Sequence, residues 1–180
     1  MSIWRIDPDV KYTSLAYVDP ENLNRSLTYT FKGKSVQTQW TSYPVFMGDD
    51  DELETGADFM HFQHVGSIAC NDKALSILYP LVSKSVELFK LDISDYIYYA
   101  VNVINVVDCV DHTRTKTKTL PLGEKRVIGK PIMRKERCEN EAIFKIPEML
   151  LTNIFVSHRF KDLVETNNLT GLKFTPIETI

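Results

Sequence analysis

The sequence predicts an α+β fold: a mixed, mainly antiparallel β-sheet with two main helices, at about 71–83 and 157–167, and a strand and hairpin region at the N-terminus. Three observations lead there. Residues 96–111, YIYYAVNVINVVDCVD, are rich in β-branched and aromatic residues and lack Gly and Pro; such side chains lose rotamer freedom in a helix and pack well on a pleated surface. Two later apolar stripes, Ala74-Leu75-Leu78-Leu81-Val82 and Phe160-Leu163-Val164, recur at helical spacing behind the cap-forming residues Asn71 and Ser157. Finally, two segments 86 positions apart share an outline of strand, capped helix and strand: Ile68, Asn71, Leu78, Val86, Leu88, Leu91 against Ile154, Ser157, Val164, Leu172, Phe174, Ile177. If each unit joins parallel neighbouring strands, its crossover is right-handed.

In a strand, alternate residues of 96–111 face opposite ways. Tyr96, Tyr98, Ala100, Asn102, Ile104 and Val106 share one face; Ile97, Tyr99, Val101, Val103, Asn105 and Val107 share the other. Both faces are largely apolar, which marks a central strand covered on both sides. The run exceeds an ordinary strand of about 5–6 residues, so a bulge or break within it is expected.

Taken in order, Tyr12–Val18 reads as a strand ended by the turn signal Asp19-Pro20. Ser26–Phe31 and Ser35–Trp40 flank Lys32-Gly33-Lys34 and read as a hairpin. Asp49, Asp50, Asp51, Glu52 and Glu54 crowd five carboxylates into six residues; they repel one another and must lie on an exposed loop. The loop is either simply solvated or a partner-binding surface steered by charge. Asn71 opens the first helix, and Pro80 must kink it or begin a second turn because it lacks an amide hydrogen. Ser85–Leu91 returns as a strand. In 112–119, His112, Arg114, Lys116 and Lys118 alternate with four threonines, as in an exposed strand or hairpin arm. Ala142–Ile146 and Asn153–Val156 are short strands; Ser157 caps the second helix, Asn167-Asn168 end it, and Leu172–Ile177 is the last strand.

Length and composition suit one domain. The chain has 180 residues, 43% hydrophobic and 25% charged, with a net charge of −3. A division at 57/58 separates the N-terminal strand and hairpin region (1–57) from an α+β unit (58–180), the two forming one compact whole. The N-terminus lacks a basic segment followed by an apolar run, so no secretory signal is expected. Cys70, Cys109 and Cys138 lie far apart and read as reduced thiols of a cytoplasmic protein. No segment is apolar enough to span a membrane.

The search for chemistry finds little. Asp108 and Asp111 invite a paired-acid reading, as an enzyme reversing a modification, but in an extended strand they point to opposite faces. His61, His64, Cys109 and His112 are possible ligands, yet each pair is spaced by three and points apart, so neither metal nor cofactor is expected. Asn102, Asp108 and Asp111 are expected to make polar contacts within the fold, structural or functional. The segment 112–137 holds nine basic residues against two acids but no Phe, Tyr or Trp. A nucleic-acid role is therefore the weaker reading, and a solvated, aggregation-resistant edge the stronger. A basic edge works against sheet-to-sheet pairing but leaves a homodimer open.

Four motifs carry a resemblance: Tyr98-Tyr99-x-x-Asn102-Val103-x-x-x-Val107-Asp108-x-x-Asp111; Ile143-Phe144-Lys-Ile-Pro147-Glu148; Ile154-Phe155-Val156-Ser157-x-x-Phe160-Lys161; and Leu169-Thr-Gly171-Leu172-x-Phe174-x-Pro176. Over about Asp58–Ile177 the chain resembles the myxobacterial-type immunity-protein domain of bacterial polymorphic-toxin systems, the eleventh numbered immunity family and formerly a domain of unknown function. The resemblance implies a small cytoplasmic protein, encoded beside a secreted toxin, that binds this toxin and protects the producing cell; it carries over no catalytic residue. The basic segment after Asp111 and the Asn71 cap, where a serine is expected, depart from the family pattern.

Overall fold

In the computed structural model, which describes residues 2–49, 51–121 and 123–180, the chain begins with β1 (Ile3–Pro8), β2 (Leu15–Tyr17), α1 (Pro20–Ser26), β3 (Pro44–Met47), β4 (Phe59–Met60), β5 (Ile68–Asn71), α2 (Asp72–Val82), β6 (Val86–Lys90), β7 (Asp92–Ile93) and β8 (Tyr98–Val103). It continues through β9 (Thr117–Thr119), β10 (Lys125–Val127), β11 (Ile132–Met133), α3 (Lys135–Cys138), β12 (Ile143–Phe144), β13 (Ile154–Ser157), α4 (His158–Thr166) and β14 (Leu172–Thr179). The fold is α+β, and its strand pairs are antiparallel except β3–β7 and β11–β14.

Two strand–helix–strand units organise the molecule. β5, α2 and β6 begin 86 positions before β13, α4 and β14. The strands of each unit are parallel to one another but are not neighbours. β8 lies between β5 and β6, antiparallel to both, and β1 lies between β13 and β14 in the same manner. Each crossover thus spans an inserted strand, so the condition of adjacent parallel strands is not met. The sheet orders are β4-β5-β8-β6 and β11-β14-β1-β13-β12.

The caps act as expected. Asn71 Oδ1 accepts from the Ala74 amide at 2.9 Å, and Ser157 Oγ from the Phe160 amide at 3.4 Å, each satisfying an amide that the first turn leaves unpaired. Asn168 ends the second unit's helix with φ 50°. Helix α2 runs through Pro80 as one element; the proline lies within a turn of the helix end. Ala74, Leu78 and Val82 of α2 join Phe160 and Val164 of α4 and the inward residues of both sheets in one core cluster.

Alternation along β8 is as predicted. Tyr98 and Ala100 enter a second cluster with Phe31, Phe62 and Phe89, while Val101 and Val103 enter the cluster of the two helices. The regular strand stops at Val103 because its partner runs out: the amides of Ile104 and Asn105 both turn to the Ser85 carbonyl, at 2.9 and 3.4 Å. The rest of the run crosses to the other sheet, where Val106 bridges Lys145 and Val110 bridges Met133, and Cys109 and Val110 enter a third cluster with Phe144 and Phe155.

The N-terminal region departs from expectation. No hairpin forms over 26–40. Asp19 is the N-cap of α1 rather than a turn residue, with Oδ1 accepting from the Glu21 amide at 2.9 Å and Pro20 starting the helix. The helix runs into a single 3-10 turn, Leu27–Tyr29. The segment that follows is held from a distance: the Glu87 carboxylate accepts from the Val36 amide at 3.1 Å and from the Ser35 hydroxyl, and Trp40 folds back on the Val36 carbonyl. These bonds satisfy the Val36 amide and carbonyl, which a ladder would have used. Helices α1 and α3 thus add to the two main helices expected. The basic arm, by contrast, is a hairpin of β9 and β10.

Candidate functional site

The acidic loop lies on the surface. Asp49, Asp51, Glu52 and Glu54 are exposed, and Asp50 lies outside the described residues. Glu54 is tied to Lys11: its amide bonds the Lys11 carbonyl at 2.9 Å, and its carboxylate lies 3.5 Å from Lys11 Nζ. On the basic arm, Arg114, Lys116, Lys118, Lys125, Arg126 and Lys130 are exposed.

Asn102 is fully buried. Its Nδ2 donates to the Lys34 carbonyl at 2.9 Å and to Glu87 Oε2 at 3.0 Å, pinning residues 34–36 onto the four-stranded sheet.

Asp108 and Asp111 part company. Asp111 is buried and caps the turn 112–115: its Oδ1 accepts from the Thr113 amide at 2.8 Å, the Thr113 hydroxyl at 2.6 Å and the Arg114 amide at 3.2 Å. These bonds, with Arg134 at 3.8 Å, hold its carboxyl below the usual carboxylate range against the opposing effect of burial. A carboxylate so occupied is poorly placed for proton transfer. Asp108 is exposed, and its backbone carbonyl and carboxylate both face Arg137. The turn brings Asp108 and His112 together with Glu148, from the 3-10 turn Pro147–Met149.

Of the possible metal ligands, His61 is exposed and His64 buried, and Cys109 is buried where His112 is exposed. His64 sits among Tyr29, Phe31, Trp40 and Phe62, with Nδ1 2.9 Å from the Tyr17 hydroxyl. Burial pushes it down to about 4, so the ring is neutral near pH 7. Cys109 and Cys138 are buried neighbours.

Two groups were not anticipated. Lys145 is 0% exposed, and its Nζ donates to the carbonyls of Gly66 at 2.7 Å, Leu150 at 2.8 Å and Phe31. Asp58, also buried, accepts from the Thr170 amide at 2.9 Å, Asn71 Nδ2 at 3.1 Å and Lys73 Nζ at 3.1 Å. Neither lies in a motif that signals a buried charge; each is defined by partners from distant segments.

No curated protein matches the chain. A family comparison does: the immunity protein family (Imm11) matches residues 85–179, more than half the chain. The chain belongs to this immunity protein family. The matched residues begin just before β6 and end with β14, and so hold the second strand–helix–strand unit, Asp108, Asp111, Glu148 and Lys145. The acidic loop and β1, although β1 completes the five-stranded sheet, precede the part of the chain that the Imm11 match covers. Among the described residues, no helix is long and apolar enough to cross a membrane.

Proposed function

We propose that this protein binds a cognate bacterial toxin, encoded nearby, in the cytoplasm of the producing cell and neutralises it by direct contact, without catalysis. Membership of the immunity protein family carries the reading. The test is co-purification of the tagged chain with the product of the adjacent gene, its toxin domain inactivated. A stoichiometric complex, together with protection that requires one immunity chain per toxin, is expected. Protection at substoichiometric amounts with no complex would overturn it in favour of an enzyme.

The docking surface we favour is the acidic loop, facing a basic toxin surface such as that of a nuclease; the basic arm is the competitor, suited to an acidic face. Exposed charge of one sign speeds encounter through long-range attraction. Replacing Asp49, Asp50, Asp51, Glu52 and Glu54 by their amides is expected to slow association by about tenfold or more at low salt and to flatten its salt dependence, with folding unchanged. Stopped-flow association at several ionic strengths reads this out. Unchanged kinetics, with a loss on reversing Lys116, Lys118, Lys125 and Arg126 instead, would move the interface to the arm.

A further inference from the structure

The bend at 112–115 gathers three potential ligands that the sequence keeps apart. Asp108 precedes the turn capped by Asp111 and His112 opens it, and Glu148 reaches them from the 3-10 turn 147–149. One ligand atom of each lies within 4.8 Å of the other two. His112 Nε2 is 3.1 Å from Glu148 Oε1, and the Glu148 side chain is only 6% exposed. Its second oxygen, Oε2, is buried without a hydrogen-bond partner among the described residues. A buried carboxylate oxygen without a donor is costly, and carboxylates withdrawn from water are paired or bind cations.

We infer that Asp108, His112 and Glu148 bind one divalent first-row transition-metal ion, of which Zn2+ is the best match. One imidazole and two carboxylates suit zinc, whereas magnesium and calcium favour oxygen donors alone. Three protein ligands leave a fourth tetrahedral position for water or a partner's group. Arg137 Nη1, 3.8 Å from Asp108 Oδ2, competes for that carboxylate, but the Asp108 side chain is 70% exposed and free to turn toward the ion. The ion ties the segment after the central strand to the turn beyond β12. The inference stands apart from the toxin-binding reading and needs no partner protein for its test.

The experiment is calorimetric titration of the full chain, stripped with EDTA and dialysed near neutral pH, with ZnCl2, and with MgCl2 and CaCl2 as controls. One Zn2+ per chain is expected, with a raised melting temperature and no binding of the controls. His112→Ala and Glu148→Gln are each expected to weaken zinc binding by about tenfold or more. His158→Ala, at the unrelated surface pair of His158 and Asp162 (3.2 Å), leaves it unchanged. His112 is partly exposed, with a side chain 36% accessible, so its variant tests the site without emptying the core; circular dichroism checks that both variants fold. Absence of zinc binding to the native chain, or undiminished binding in either folded variant, overturns the inference.

Discussion

Replacing Lys145 by Met is expected to cost about 3 kcal/mol of folding stability, lowering the melting temperature by about 10 °C in a chain of this size. The side chain length is kept and the charge removed, so the loss isolates the polar contacts. Three carbonyl oxygens, from Phe31, Gly66 and Leu150, converge on Nζ, and an ammonium has three N–H groups to give. A neutral amine has only two, and its lone pair would face an oxygen. Burial alone pushes the ammonium down to about 7; the carbonyl cage opposes this by bonding the charged form. In the variant the ammonium's desolvation cost disappears, but three carbonyls in the interior lose their donor, and unsatisfied buried groups cost about 1–3 kcal/mol each. The lost donor also loosens the join of these segments, of which 31 and 65–66 stay bonded through the Phe31 amide and the Val65 carbonyl at 3.0 Å.

Gly66 gives a second route to the same cage. Its φ is +81°, and a Cβ there would collide with the Phe31 carbonyl and lie 3.0 Å from Lys145 Nζ. Gly66→Ala is therefore expected to destabilise in the same direction as Lys145→Met. Because both act on one cage, the double variant is expected to lose less than the sum of the two. Equilibrium urea unfolding of the three variants measures this. A Lys145→Met loss below about 0.5 kcal/mol, the range of ordinary surface changes, would show that the cage contributes little.

What could be read in advance divides by range. The faces of β8 were legible because its β-branched and aromatic run marks a strand, in which successive residues alternate faces, and both helix starts were legible because Asn71 and Ser157 act on amides three residues away. The repeat of unit outlines was legible too, but not the strand that enters each unit: β1 and β8 bring no local mark of insertion. The N-terminal reading failed where a local signal is ambiguous. Asp19-Pro20 opens a turn or a helix equally well; the helix won, and with its 3-10 turn it takes up residues 26–29 of the first expected hairpin strand. Lys145 is the hardest case. In Ile143-Phe144-Lys145-Ile146 it reads as the wet face of a short strand, and only carbonyls from 31, 66 and 150 make it an interior residue. The cluster of Asp108, His112 and Glu148 was hidden likewise, since Glu148 comes from the separate turn 147–149 and no local pattern brings it to His112.

Asp58→Ala is expected to destabilise by a similar amount, about 3 kcal/mol, and to remove much of the protein's sensitivity to mild acid. Asp58 lies just before β4, and its carboxylate joins the Asn71 cap of α2, Lys73 in the first turn of that helix, and Thr170 in the turn before β14. It therefore ties the first strand–helix–strand unit to the second. Burial would raise its carboxyl, but the Thr170 amide, Asn71 and Lys73 outweigh it and hold it below the usual value. The sign follows from that depression: the native state binds the proton less readily than the unfolded chain, so the contribution is complete above the unfolded value near 4 and is lost as pH falls through the lower folded value. Lys73 is half exposed, so its removal alone costs little; the Thr170 and Asn71 bonds supply most of the effect. Urea unfolding of wild type and Asp58→Ala between pH 7 and pH 3 is expected to show two curves that converge as the pH falls. Parallel curves would place the acid sensitivity elsewhere, with Asp111 the next carboxylate to test.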